Sequence, residues 1–203
     1  MKVQAQFVTS VADAGKFPPP VAPEIAFLGR SNVGKSSVLN SLIGSRLAHV
    51  SSSPGRTQTI NFFAVGWKPQ NYGADVMLVD LPGYGYARVS RRLSAEWPKF
   101  IDPYLKKRAN LVLCVVLVDV NVPPQASDRH LLNFLRQARR EFIVVGTKSD
   151  RLSHNRLRSG LKDLQQALAV EEIFPFSAKT GSGREHLWRI IRQAAAASGA
   201  AHA

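Results

Sequence analysis

Eight consecutive residues, Gly29-Arg30-Ser31-Asn32-Val33-Gly34-Lys35-Ser36, fill every fixed position of the pattern G-x-x-x-x-G-K-[ST]. The chemistry of such a loop is the capture of a polyphosphate. Successive backbone N–H groups at a helix N-terminus converge on one point, and the helix dipole adds partial positive charge there. Gly29 and Gly34 permit backbone conformations that a side chain would hinder. Lys35 reaches the β- and γ-phosphates, Ser36 offers a hydroxyl to Mg²⁺, and Ser37 continues the loop into its helix. The surroundings suit the pattern: Ile25 to Leu28 is an apolar, β-capable run, and Ser36 to Ile43 carries Val38, Leu39, Leu42 and Ile43 at helical spacing.

Further groups in fixed order suggest which nucleotide is held. Asp80-Leu81-Pro82-Gly83 closes an apolar run, which puts a carboxylate at a strand's carboxyl end to hold the Mg²⁺ shell and a glycine amide near a γ-phosphate oxygen. Thr147-Lys148-Ser149-Asp150 follows a second run, and a carboxylate there can accept from N1–H and the 2-amino group of guanine, a pair that adenine lacks. The aliphatic stem of Lys148 can cover the base plane. Ser177-Ala178-Lys179 comes after the last strand, where it can brace the guanine oxygen and support Asp150. Between the first helix and second strand, Ser51 to Thr59 is a Ser/Gly/Pro-rich loop containing Pro54, Gly55, Arg56 and Thr57. A threonine there adds its hydroxyl to Mg²⁺ only when a γ-phosphate draws the loop in, which is a switch.

These residues need a scaffold that gathers strand ends. Ile60 to Trp67, Asp75 to Val79, Leu111 to Val118, Phe142 to Val145 and Ile173 to Phe176 are predicted strands. Continuous rather than alternating apolar runs imply strands buried on both faces, hence a largely parallel sheet covered by helices. Helices are predicted at Ser36 to Ile43, Gln125 to Arg139, Asn155 to Leu168 and Arg184 to Ala196, with Ser90 to Arg108 split into two short pieces by Pro98 and Pro103. The fold class is α/β, doubly wound. Residues 1–22 are expected to be a lead-in segment, 23–195 the domain and 196–203 a disordered tail, with no internal repeat.

At 203 residues, 45% hydrophobic and 20% charged, the chain has the composition of one soluble globular domain. No signal-peptide core opens it, and Leu111 to Val118 falls far short of the roughly 20 residues of a membrane span, so a cytoplasmic protein without membrane insertion is expected. Cys114 is the single cysteine and lies in that apolar run, as a buried core thiol does. A formal charge of +13 argues for a polyanionic partner, RNA above an anionic membrane, unless it only keeps the chain soluble. The charge concentrates in Arg88 to Arg108, Arg129 to Arg140 and Lys148 to Lys162.

The strings G-R-S-N-V-G-K-S-S, P-G-R-T-Q-T-I-N-F-F and D-L-P-G-Y-G-Y-A, with T-K-S-D and S-A-K in order behind them, resemble the EngB group within the TrmE, Era and EngA branch of translation-factor-like GTPases. The resemblance spans Phe7 to Gln193. It implies a P-loop GTPase domain with a six-stranded sheet whose second strand is antiparallel, helices on both faces, and Thr57 as the switch threonine. It further implies a bacterial Mg²⁺-dependent GTPase acting in assembly of the large ribosomal subunit, with rRNA as partner; a requirement for cell division and septation is carried by the same family.

Two residues bear on hydrolysis. Ras-like proteins place a water-orienting glutamine directly after D-x-x-G; Tyr84 stands there and cannot act in the same way, so slow intrinsic turnover is expected. Asn32 matches the asparagine with which TrmE-like proteins help bind K⁺, or it tightens the loop by a local hydrogen bond. The catalytic candidates are thus Lys35, Asn32 and Thr57, and the metal candidates Ser36, Thr57 and Asp80. Tyr84, Tyr86 and the basic run from Arg88 are expected to face RNA, or the tyrosines pack on the domain itself. A monomer is expected. The competing readings are an RNA-binding scaffold that nucleotide only stabilises, a P-loop ATPase or small-molecule kinase, and a division-specific GTPase.

Overall fold

The computed structural model describes residues 3–48, 59–67, 74–84 and 101–200. The described elements, in chain order, are β1 (Gln4–Val11), β2 (Glu24–Gly29), α1 (Lys35–Ile43), β3 (Ile60–Gly66), β4 (Val76–Asp80), α2 (Ile101–Lys107), β5 (Leu111–Asp119), α3 (Ala126–Gln137), β6 (Phe142–Thr147), α4 (His154–Leu168), β7 (Ile173–Pro175) and α5 (Arg184–Ala200). Seven strands form one sheet in the order β1-β3-β4-β2-β5-β6-β7. β2 pairs in parallel with β4 and β5, β5 with β6 and β6 with β7, whereas β3 runs antiparallel to both its neighbours. The six strands implied by the resemblance are therefore β2 to β7, with β3 the antiparallel one. β1 adds a seventh because residues 4–11, expected as part of a lead-in, pair with β3 across a bulge between Phe7 and Thr9. Alternate side chains of β1 contact the sheet rather than lying in a continuous buried run, and the Phe7 ring meets Phe63 edge-on at 5.8 Å.

Alternation within the apolar strands feeds two cores. Ala26, Leu28, Cys114, Val116 and Val118 face one side, where Tyr104, Leu105, Leu131, Leu135 and Leu164 from α2, α3 and α4 cover them. Ile25, Phe27, Leu113, Val115 and Leu117 face the other, under Val38, Leu39, Leu42, Trp188 and Ile191 from α1 and α5. Burial pushes the Cys114 thiol up to about 12, the state of an inert core residue.

Two expectations about helices change. Pro103 lies within α2, which continues past it to Lys107, so it does not divide the described helix. Pro98 and the rest of 85–100 lie outside the described residues. Residues 196–200, expected in a disordered tail, continue α5: Ala195 is buried against the sheet, and Ser198 donates its hydroxyl to the Ala195 carbonyl at 2.8 Å.

Candidate functional site

The carboxyl ends of β2, β4, β5 and β6 meet at one edge of the sheet, and the loops leaving them hold the motif residues together. Gly29 ends β2 where a Cβ would come within 2.7 Å of Val33 Cγ1 and 3.1 Å of the Leu117 carbonyl, so only glycine admits the turn. Asn32 at φ 65° and Gly34 at φ 103° then take left-handed conformations on either side of Val33. This alternation curls the backbone into a concave nest ahead of α1, a form that collects N–H groups around an anion. Val33 is buried, and its carbonyl accepts from Thr147 Oγ1 at 2.7 Å, which ties the phosphate loop to the end of β6. Lys35 Nζ forms an ion pair with Asp80 Oδ1 from the adjacent strand β4. Both side chains are nearly buried there.

The segment after Asp80 packs directly on the loop. Leu81 N–H donates to the Phe27 carbonyl at 3.2 Å, and a Cβ on Gly83 would meet Ser31 Oγ at 2.9 Å and the Ser31 backbone at 3.1 Å. Tyr84 continues the contact as a β-bridge to Arg30: its N–H donates to the Gly29 carbonyl at 3.3 Å and its carbonyl accepts from Ser31 N–H at 3.0 Å. The tyrosine ring is buried and its hydroxyl donates to Asp128 Oδ1 on α3 at 2.9 Å. Tyr84 is thus packed on the domain, not available for stacking on a base; its bulk is better satisfied by the core than by solvent. Burial, reinforced by the Asp128 charge, drives its phenol well above the ordinary value. Burial likewise raises the Asp128 carboxyl, against the opposing effects of the Tyr84 hydrogen bond and the Arg30 charge. Arg30 lines a cleft of about 250 Å³ behind the loop together with Asp119 and Asp128.

A larger cleft of about 990 Å³ opens between α1 and the loops after β6 and β7, with Lys148, Asp150, Ala178, Lys179, Ser37 and Arg46 on its walls. Ser177 Oγ donates to Asp150 Oδ1 at 2.6 Å, and Ser149 N–H donates to the Phe176 carbonyl at 3.2 Å, so the T-K-S-D and S-A-K segments brace one another. Asp150 itself is exposed to the cleft; the Ser177 hydrogen bond holds its carboxyl below the usual carboxylate range. Lys148 adopts φ 59°, and its ammonium donates to the Asn32 carbonyl at 2.8 Å and to Asp119 Oδ2 at 2.7 Å. On the opposite wall, Asn40 of α1 exchanges two hydrogen bonds with the Ala48 backbone, at 2.7 and 2.8 Å, fixing the chain beyond Arg46.

Of the residues predicted from sequence, the loop from Gly29 to Ser37, Asp80 to Gly83, Thr147 to Asp150 and Ser177 to Lys179 share this edge. Gly55, Arg56 and Thr57 lie outside the described residues, as does Tyr86. Ser36 and Asp80 supply one hydroxyl and one carboxylate, a donor set that suits Mg²⁺ completing its shell with phosphate oxygens and water. Among the described residues no group of three or more His, Cys, Asp or Glu forms a protein cage for a metal. Sequence reasoning missed Asn40, Asp119, Asn121 and Asp128. Only Asp119 carried a signal, as a charged residue ending an apolar run at the same strand edge as the motifs.

Basic residues counted toward an RNA face are partly committed inside the domain. Arg108 pairs with the buried Glu24 at 2.5 Å and donates to the Pro18 carbonyl at 2.7 Å. Arg140 donates to the carbonyls of Leu105, Leu111 and Arg108, and Arg136 to those of Leu168 and Ala169. No helix among the described residues is long and apolar enough to cross a membrane.

Comparison with known proteins agrees with this geometry. A family model described as 50S ribosome-binding GTPase matches residues 24–148, from the start of β2 to the lysine of T-K-S-D. The probable GTP-binding protein EngB of Koribacter versatilis (strain Ellin345) is 58% identical over 195 residues, which cover 96% of each chain. The probable GTP-binding protein EngB of Acidobacterium capsulatum is 52% identical over 196 residues, covering 97% of this chain and 93% of that one. A crystal structure of a probable GTP-binding protein engB superimposes with a TM-score of 0.66 at 25% identity, over 84% of this chain and 97% of the other. With a matching family model, full-length likeness and a phosphate loop set beside a guanine-suited carboxylate, this chain belongs to the EngB family of P-loop GTPases.

Proposed function

We propose that this chain is a Mg²⁺-dependent GTPase switch, monomeric and cytoplasmic, that binds a precursor of the large ribosomal subunit through rRNA and acts in its assembly. The observation that carries the reading is the match of residues 24–148 to a 50S ribosome-binding GTPase family, in a chain whose formal charge is +13. Asp150 accepts from the base, the nest from Asn32 to Ser36 receives the phosphates, and Lys35 exchanges its partner Asp80 for the β- and γ-phosphate oxygens. Ser36 and Asp80, with Thr57, would hold Mg²⁺, which neutralises charge developing on the phosphoryl oxygens. Water attacks the γ-phosphate in line. Tyr84, with its hydroxyl bonded to Asp128, has no means of orienting that water, which supports slow intrinsic turnover. The exposure of Asn32 on the loop is compatible with its amide oxygen holding K⁺ beside the phosphates.

The reading is tested by depleting the protein and following ribosomal particles and cell shape together. Accumulation of large-subunit precursors before any change in shape is expected, as is salt-sensitive cosedimentation of the protein with those particles. Failed septation with normal subunits would replace the assembly role with a direct role in division. Equal RNA affinity with GTP, GDP and no nucleotide would favour a scaffold over a switch.

A further inference from the structure

We infer that Asp119, oriented by Asn121, is a positioning residue for guanine recognition: it holds Lys148 along the wall of the base cleft and fixes the left-handed turn that delivers Asp150. The inference rests on Asp150 being the base-recognising carboxylate.

Lys148 is gripped at both ends. Its ammonium bonds to Asp119 Oδ2 at 2.7 Å and to the Asn32 carbonyl at 2.8 Å, while its own carbonyl accepts from Asn121 Nδ2 at 3.2 Å. Asn121 also donates its backbone N–H and its Nδ2 to Asp119 Oδ1, at 3.0 and 2.9 Å, so the two oxygens of Asp119 have separate tasks. The stem between these ends passes the phosphate loop, where a Cβ on Gly34 would lie 3.8 Å from Lys148 Cε.

Such a grip answers two physical needs. A lysine at φ 59° is in a region disfavoured for a residue with a Cβ, and persists only where its surroundings over-determine it. A free lysine would also sample many rotamers, and a flexible wall loses part of the binding free energy to ordering when a ligand arrives. Both members of the pair are mostly buried, at 25% and 13% side-chain exposure, so solvent screens it less than a surface ion pair. Burial works to raise the Asp119 carboxyl, yet the hydrogen bonds from Lys148 and Asn121 outweigh it and hold the group below its ordinary value. Those hydrogen bonds favour the ionised carboxylate. Register places Asp119 beside Thr147, one residue before the lysine it holds.

The test is calorimetric binding of GDP and GTP to the full chain carrying Asp119→Asn, Asp119→Glu, or Asp119→Asn in a Lys148→Met background. Asp119→Asn is expected to weaken both nucleotides about tenfold, the usual loss for a charge-assisted hydrogen bond. GDP should also leave faster, and Asp119→Glu should recover part of the loss. In the Lys148→Met background the same substitution should add almost nothing, because its effect passes through Lys148. Wild-type affinity in Asp119→Asn, or an undiminished loss in the Lys148→Met background, would overturn the inference. Should Asp119→Asn not fold, Asn121→Ala removes the orienting donors without changing charge, and a several-fold loss or wild-type binding decides the question in the same way. Asp150→Asn separates the two layers: retained guanine preference there defeats the base-site reading itself, whereas lost preference with unaltered Asp119→Asn defeats only the role of Asp119.

Discussion

Ser177 Oγ stands 2.6 Å from Asp150 Oδ1, so the hydroxyl that opens the S-A-K segment donates to the carboxylate that closes T-K-S-D. The bond does two things: it aims the carboxylate and it favours its ionised form. Because the folded-state value is depressed, the contribution of ionised Asp150 is present above the ordinary carboxylate range and is lost as pH falls through the lowered value. Guanine binding should therefore survive mild acid. Ser177→Ala should weaken GDP several-fold at neutral pH, consistent with about 1 kcal/mol for one hydrogen bond, and move the acid limb of binding upward. Calorimetric titration of GDP across pH 3 to 7 checks this; superimposable acid limbs in variant and wild type would count against it.

Lys35, the first residue of α1, and Asp80, the last of β4, neutralise one another. Binding of a triphosphate replaces the carboxylate by phosphate oxygens as the lysine's partner, leaving Asp80 free to face a divalent ion. Asp80→Asn is expected to spare GDP binding measured without Mg²⁺, since it removes a competitor for Lys35, and to abolish the gain in GTP affinity that Mg²⁺ brings. Lys35→Met should lower single-turnover hydrolysis on the order of 10²-fold, the scale seen when one preorganised charge donor is removed. A Mg²⁺ response in Asp80→Asn equal to that of the wild type would show that the carboxylate has no part in the ion's shell.

The Tyr84 to Asp128 contact makes a third prediction, about stability and pH. Tyr84→Phe takes one hydrogen bond from a buried carboxylate and should destabilise the fold by about 1–3 kcal/mol in urea titration. Asp128→Asn should do the reverse at neutral pH, because an amide oxygen still accepts from the phenol while no charge is buried. The sign follows from the raised carboxyl. A carboxyl raised in the fold binds its proton more tightly there than in the unfolded chain, so ionisation weakens the fold as pH climbs past the ordinary carboxylate value. The advantage of Asp128→Asn should accordingly vanish in acid. A difference that persists below pH 3 would require another cause.

Much of this site was legible because it depends on local spacing. A glycine-rich turn between strand and helix, and carboxylates ending apolar runs, occupy fixed places once the sheet is parallel, so Lys35, Asp80 and Asp150 could be placed without coordinates. Contacts between distant segments carry no such spacing. Nothing in the sequence near Tyr84 announces Asp128, 44 positions away, and the aromatic-plus-basic string D-L-P-G-Y-G-Y-A followed by arginines left an outward-facing reading open beside packing on the domain. Glu24 is a second case: nothing around a glutamate one residue before an apolar run announces its buried contacts with Arg108 and Tyr104, 84 and 80 positions on. β1 escaped notice because an edge strand shows only partial alternation, and its partner β3 lies beyond α1. The fold was read from runs and the site from motifs, while the cross-links that set their geometry emerge only in three dimensions.

Asn32 supplies the last prediction. It is exposed on the phosphate loop, and its left-handed conformation is one that asparagine tolerates better than most residues. Its carbonyl is engaged by Lys148, which leaves the orientation of the residue set by the backbone rather than by its own amide. With Tyr84 withdrawn to Asp128, the residue after D-x-x-G contributes no positioned donor, which leaves room for a further charge beside those of Lys35 and Mg²⁺ to assist hydrolysis. A monovalent cation held by the Asn32 amide oxygen would supply it. Single-turnover hydrolysis at fixed ionic strength is then expected to be faster in K⁺ than in Na⁺ by at least about tenfold, the effect of one well-placed charge. Asn32→Ala should bring the two rates together by lowering the K⁺ rate alone. Equal rates in both salts for the unaltered protein would leave Asn32 with a purely conformational role, because a residue that only shapes the loop has no means of distinguishing one alkali ion from the other.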